Sequence, residues 1–202
     1  GASFGWYKNQ FGFEDNLNAK KGNRNVYEEI ISKFRSEPTK VYFIPHLSGS
    51  GTPKMNPRAT GTIFGITLGT DKYDIGKAVL EGLNFEIKLN VDIIESLGIS
   101  KINEIKCISG GARSDFWLQL KANILDKKIA ASEFADAPAI GAAILAGYGS
   151  GIFATLEEGI EATSSTWRSF YPDKKMVKKY QEKYASYIEI RNVISKNLYS
   201  LS

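Results

Sequence analysis

Apolar residues recur at helical spacing in several stretches of the chain and gather into short runs between them. Phe4, Trp6, Tyr7 and Phe11 predict a short buried helix over Ala2 to Phe11. Glu14 to Asn25 is polar and rich in Asn, and reads as a loop. Val26, Ile30, Ile31 and Phe34 share one face, which predicts a second short helix stopped before Pro38. Val41 to Ile44 is an apolar run closed by Pro45, the pattern of a strand. Leu47 to Thr60 is dense in Gly, Pro, Ser and Asn and predicts an irregular surface loop. Thr62 to Ile66 predicts another short strand.

Asp71 to Leu97 carries one apolar row at Ile75, Val79, Leu83, Ile87, Val91 and Ile94 and a second at Leu80, Leu89 and Ile93. A stripe that wide predicts a long, largely buried helix, with Gly98 as its C-cap. A strand over Ile105 to Ile108, a glycine pair, a helix from Asp115 to Leu125 and a strand over Ile129 to Ala131 follow. An Ala/Gly helix then has Pro138 in its first turn, where the missing N–H costs nothing. Thr155 is placed to cap a helix over Leu156 to Ala162. A last helix, Asp173 to Leu198, is expected to show Lys174, Lys175, Lys178, Lys179 and Lys183 to solvent. Strands alternating with helices predict an α/β fold with helices against a sheet. No internal repeat stands out.

The 202 residues are 43% apolar and 24% charged, enough to bury a core as one domain or one lobe of a larger enzyme. The net charge of +4 is spread along the chain, which argues against a nucleic-acid-binding patch. The single cysteine, Cys107, excludes an intramolecular disulfide and fits a reducing compartment. With no signal-peptide pattern at the N-terminus, a cytoplasmic location is expected. The single histidine, His46, excludes a multi-histidine metal site. The uncharged stretch from Ala137 to Leu156 is half Ala and Gly, with Pro138 near its start, too weakly apolar for a membrane span. The chain opens on Gly1 without a methionine, as a piece of something longer would, or one carrying a cloning remnant.

The densest chemical signal is Cys107-Ile108-Ser109-Gly110-Gly111-Ala112-Arg113-Ser114-Asp115. A buried strand ends, two glycines follow, and a helix begins with Ser114 or Asp115 available as its cap. Glycines let a ligand approach the backbone, and the amides and dipole of a helix start favour phosphate. This is a recipe for nucleotide binding at the carboxyl end of a strand. A tight strand-to-helix turn with no ligand explains a bare Gly-Gly equally well, and the spacing matches neither G-x-G-x-x-G nor the Walker loop. A second signal is Gly61-Thr62-Ile63-Phe64-Gly65-Ile66-Thr67-Leu68-Gly69-Thr70, a strand leaving into a turn ahead of the long helix, again an anion-friendly position. Three glycines four apart also suit the small-residue face of a helix pair. In the loop, Ser48, Gly49, Ser50, Gly51 and Thr52 could bond a polyol or phosphate, although a solvated turn is the ordinary reading. His46 reads as a packed or capping residue, Cys107 as a small core residue, and Arg113 as a lone candidate to neutralise phosphate. Asp71, Asp74, Glu81 and Glu86 have no partner pattern that singles out a general base. The chain is equipped to hold a nucleotide but not to complete a reaction.

These residues resemble the FGGY carbohydrate kinases, the group of glycerol, xylulose and gluconate kinases, in their C-terminal lobe. The family's second signature is matched at every position by Gly61, Ile63, Gly65 and Ile66, then, after seven residues, Asp74, Ile75, Ala78, Val79, Leu80 and Glu81. Gly110-Gly111-Ala112-Arg113-Ser114 is similar to the adenosine motif. Ala139 to Gly147 is similar to the late Ala/Gly helix, and Phe43 to Gly49 to the proline-containing loop. Four motifs in the family's order, spanning the first residues to about Pro172, are more specific than any one alone. Phe85 to Asn90 and Gly51-Thr52-Pro53 resemble xylulokinase-like members.

The resemblance implies an actin-like or ribonuclease-H-like ATPase lobe, residues 1–202, that binds ATP with Mg2+. By position, Gly110, Gly111 and Ala112 would lie against the α-phosphate and adenosine, and Asp115 falls where some members have an asparagine reaching the adenine. Gly69 and Tyr73 would line the pocket from the long-helix side. The sugar-binding N-terminal lobe, with the catalytic aspartate and the magnesium-linked acids, and the phosphate hairpin that opens the C-terminal lobe are expected outside this chain. Losing that hairpin would leave an unpaired strand edge, to be covered by the parent protein's own residues or by a neighbouring copy, as in a homodimer. The competing reading is a non-enzymatic actin-like nucleotide-binding or regulatory module.

Overall fold

The computed structural model describes residues 1–98, 101–108, 110–132, 137–163, 167–197 and 199. Three short helices open it: α1 (Ala2–Phe11), α2 (Phe13–Lys21) and α3 (Val26–Ile31). Strands β1 (Tyr42–Ile44) and β2 (Thr62–Phe64) flank the proline-rich loop and lead to the long helix α4 (Lys72–Ser96). The second half runs β3 (Glu104–Cys107), a single 3-10 turn (Gly110–Ala112), α5 (Asp115–Leu125), β4 (Lys128–Ser132), α6 (Ala137–Gly149), α7 (Leu156–Ala162), β5 (Trp167–Phe170) and α8 (Lys174–Asn197).

Helix boundaries follow capping chemistry. Asp71 accepts from the amides of Tyr73 and Asp74, while Asp74 accepts from the Asp71 amide, a reciprocal box that starts α4. Gly98, at φ +70°, follows its last turn in the left-handed region that favours glycine. Ser114 caps α5, Thr155 caps α7, and the Asp173 carboxylate accepts from the first amides of α8. Pro138 falls in the first turn of α6 as expected.

The described strands form two small sheets. β1 and β2 pair antiparallel, with Phe43 opposite Ile63. In the other, β4 is central, parallel to β3 and antiparallel to β5. Among the described residues the outer edge of β3 is unpaired. The larger core gathers Phe4, Tyr7, Phe43, Leu80, Phe85, Tyr180 and Tyr187, joining α1, β1, α4 and α8. A smaller one, with Leu118, Leu125, Ile129 and Ala131, lies between α5 and the β3–β5 sheet. The small residues of α4 let neighbours come close. A Cβ on Gly82 would collide with the Phe43 carbonyl, and one on Gly76 would lie 2.5 Å from the Tyr7 ring.

Three expectations are corrected. The polar stretch after Gly12 is helical through Lys21, because Glu14 and Asp15 sit in its first turn and Lys20 and Lys21 in its last, matching the helix dipole. It also buries Asp15 completely, clamped by Lys33, Lys72 and Tyr73. The strand β5 lies between the helices over Leu156–Ala162 and Asp173–Leu198, where no element was expected, and its register is supplied by β4. Lys183 does not face solvent: it is buried against Glu81. Ser109 and Leu198 lie outside the described residues.

Candidate functional site

The glycine turn after β3 opens onto a cleft of about 420 Å³, formed where the start of α1, the helix α3 and the start of α5 converge. Its wall is aromatic and apolar. Phe4 packs edge-on to Trp117 at 6.0 Å between ring centroids and lies 5.5 Å from Tyr27, and Ile31 completes that side. Gly110, Gly111, Arg113 and Ser114 line the same cleft, together with Glu28 of α3 and its cap residue Asn25.

The two glycines carry the argument for a ligand. Neither has a positive φ, and a Cβ built on either would meet nothing within 4 Å. The fold therefore does not require glycine here; added atoms would meet open space. The observation fits a backbone kept bare so that a ligand can approach it. By contrast, Gly82 and Gly76 are demanded by packing.

Ala112 and Asp115 are set differently. Ala112 is buried, and its carbonyl accepts a 2.8 Å hydrogen bond from Arg168 Nη2 on β5. The other guanidinium nitrogen makes an ion pair with Asp115. Arg168 thus ties the β3–β5 sheet to the glycine turn, and the Asp115 carboxylate is engaged with β5 and is not part of the cleft lining. Ser114, with its Oγ accepting from the Trp117 amide at 3.3 Å, is the cap of α5.

Gly69 and Tyr73 line a separate cleft of about 360 Å³ with Arg35, Lys40, Thr67, Thr70 and Lys77. The structure does not bring them together with Gly110 and Gly111. The anion-friendly amides at the start of α4 are already occupied by the Asp71 carboxylate, and Tyr73 donates its hydroxyl to Asp15 at 3.0 Å. Arg35 pairs with Asp71 and Asp74 at the rim.

The remaining candidates are structural. His46 is buried, with Nδ1 2.7 Å from the Tyr199 hydroxyl and Nε2 3.5 Å from Glu86. Glu86 also accepts from Tyr187 and from Arg191, both at 2.7 Å. Burial pushes the Glu86 carboxyl upward, but the hydrogen bonds from His46, Arg191 and Tyr187 outweigh it and hold it down at about 2. Cys107 is buried in the smaller core, with Lys121 Nζ 3.2 Å from its sulfur. Among the described residues no group of three or more His, Cys, Asp or Glu gathers as a metal site, and no helix is long and apolar enough to cross a membrane.

Phe4, Asn25, Tyr27, Glu28, Ile31 and Trp117 are cleft residues that the sequence reading did not single out. The pattern around Tyr27 signalled only an amphipathic helix. Nothing local could reveal that this helix faces a turn more than eighty positions away.

The architecture is the actin-like α/β fold of the solved sugar kinases that superpose on it. Residues 1–150 match the C-terminal domain of the FGGY family of carbohydrate kinases, and the chain belongs to that family. It is 33% identical over 190 residues to a xylulose kinase of Staphylococcus epidermidis, covering 93% of this chain and 36% of that protein. The structure of ligand-bound xylulose kinase from Lactobacillus acidophilus superposes with a TM-score of 0.77 at 24% identity, over 100% of this chain and 39% of the other. Plasmodium falciparum glycerol kinase with ADP superposes with a TM-score of 0.67 at 26% identity, over 89% of this chain and 36% of the other. The chain thus spans little more than a third of the length of these relatives.

Proposed function

We propose that this chain is the ATP-holding lobe of a carbohydrate kinase that transfers the γ-phosphoryl group to a hydroxyl of a ketose or polyol, xylulose or a close relative. The supporting observation is the pair of sterically unneeded glycines facing a cleft whose other wall is aromatic. In this reading the main chain at Gly110 and Gly111 lies against the phosphates and Arg113 offsets their charge. Phe4, Tyr27 and Trp117 supply the apolar surface for the purine. Arg113 suits that role because it makes no ion pair among the described residues. The relatives named xylulose kinase support the sugar class, and the ADP of the glycerol kinase structure supports the nucleotide.

Phosphoryl transfer needs in-line positioning, metal neutralisation of charge and exclusion of water. Mg2+ would supply the neutralisation, with its carboxylate ligands and the catalytic acid contributed mainly by a sugar-binding lobe outside this chain. The purified 202-residue chain is accordingly expected to bind ATP weakly and to phosphorylate no sugar by itself. The decisive experiment titrates ATP against the wild-type chain and Gly111→Val by ligand-observed NMR. The variant is expected to keep the wild-type unfolding midpoint and lose binding. Undiminished binding in a folded Gly111→Val chain would refute the assignment.

A further inference from the structure

The cleft carries a charge that the phosphate end of a nucleotide does not explain. Tyr27 and Glu28 lie four and three residues before Ile31 on α3, and all three line the cleft. Glu28 is exposed there and makes no ion pair among the described residues, although Arg113 lines the same cleft. Its neighbour Glu29 is turned the other way, buried and paired with Arg24 and Lys33. A carboxylate accepts hydrogen bonds and offers none, so within the cleft it disfavours phosphate and suits a ligand group that presents O–H or N–H. Of the other polar side chains on the cleft, Ser114 is committed to capping α5 and Asn25 Oδ1 to capping α3.

Resting on the nucleotide reading above, we propose that Glu28 holds the ribose of the bound nucleotide, its two carboxylate oxygens accepting from the vicinal 2′- and 3′-hydroxyls. Two adjacent donors match a two-oxygen acceptor, and carboxylates grip ribose in this manner in unrelated dinucleotide folds. The cleft is then polar in one direction: phosphate at the glycine turn and Arg113, sugar at Glu28, base along Tyr27, Phe4 and Trp117.

The test compares ATP, 2′-deoxy-ATP and 3′-deoxy-ATP on the full 202-residue chain, with wild-type, Glu28→Gln and Glu28→Ala proteins, by NMR titration. Wild-type is expected to bind ATP about 10-fold more tightly than either deoxy analogue. Both variants should lose that preference and bind the three nucleotides with similar affinity. Glu28 lies exposed in the first turn of α3, so Glu28→Gln keeps its shape, and a purely helix-stabilising role would leave the ribo-to-deoxy ratio unchanged. Equal affinities in the wild-type chain, or a preference that survives in Glu28→Ala, would overturn the ribose assignment and leave the nucleotide cleft standing. No binding by any of the three nucleotides would overturn both.

Discussion

Lys183 on α8 meets Glu81 on α4 inside the larger core, in a direct ion pair whose side chains are 5% and 1% exposed. The same ammonium donates to the carbonyls of Thr39 and Val41, and Glu81 accepts from the Thr39 amide and the Tyr180 hydroxyl, both at 3.2 Å. Lys77, one turn earlier on α4, donates to the carbonyls of Arg35, Ser36 and Glu37. Burial raises the Glu81 carboxyl and lowers the Lys183 ammonium, while their mutual attraction opposes both shifts. Glu81 is the acid that closes the family signature. Its position fastens the segment from Arg35 to Val41, which leads into β1, onto α4 and α8.

Removing one partner of such a pair leaves a charge stranded in the core. Lys183→Met is expected to lower stability by about 3–5 kcal/mol, read from urea unfolding. Adding Glu81→Leu to it should restore a large part of that loss. A single substitution that leaves the urea midpoint unmoved would show that the pair does not hold the core.

Glu86 makes stability depend on acid. Its carboxyl is held down at about 2, against an ordinary 4.5, by hydrogen bonds that overcome the cost of burial. Because the folded value is depressed, its contribution is complete above about pH 5 and fades as pH falls toward 2. Glu86→Gln should therefore cost about 3 kcal/mol at pH 7 and progressively less toward pH 2, the shift being worth roughly that amount. Parallel stability curves for wild-type and variant over this range would contradict the linkage.

Arg168 is expected to govern the glycine turn from outside the cleft. With Arg168→Ala the Ala112 carbonyl loses its 2.8 Å donor and Asp115 loses its partner. Nucleotide affinity should fall about 5-fold, equivalent to one net hydrogen bond, with little change in the unfolding midpoint because the Asp115 pair is surface-exposed. Arg168→Lys should recover little, since one ammonium cannot span both acceptors in the fork geometry. Unchanged affinity in the alanine variant would separate β5 from the site.

Much of the fold was readable in the order of residues because its causes are local. The wide stripe from Ile75 to Ile94 and the caps at Ser114 and Thr155 depend on neighbours within a few positions. The helices over Asp115–Leu125 and Leu156–Ala162 fall where their periodicity placed them. So does the bare glycine pair at the end of a strand. The short helix α2 escaped notice because its polar face dominates and its stabilising partners for Asp15, Lys33 and Lys72, lie elsewhere in the chain.

Distance along the chain marks where such reading stopped. Lys183 looks like its solvent-facing neighbours until Glu81, 102 positions earlier, is packed beside it. Gly69 and Gly110 each precede a helix and look alike in sequence, yet the fold places them on two separate clefts with different walls. Periodicity, caps and turn residues act over a few residues, so the sequence could specify elements and their ends. Which faces meet, which charges are buried and which turn is left open depend on chain segments brought together only by burial of the common core, and the tertiary structure alone decided them.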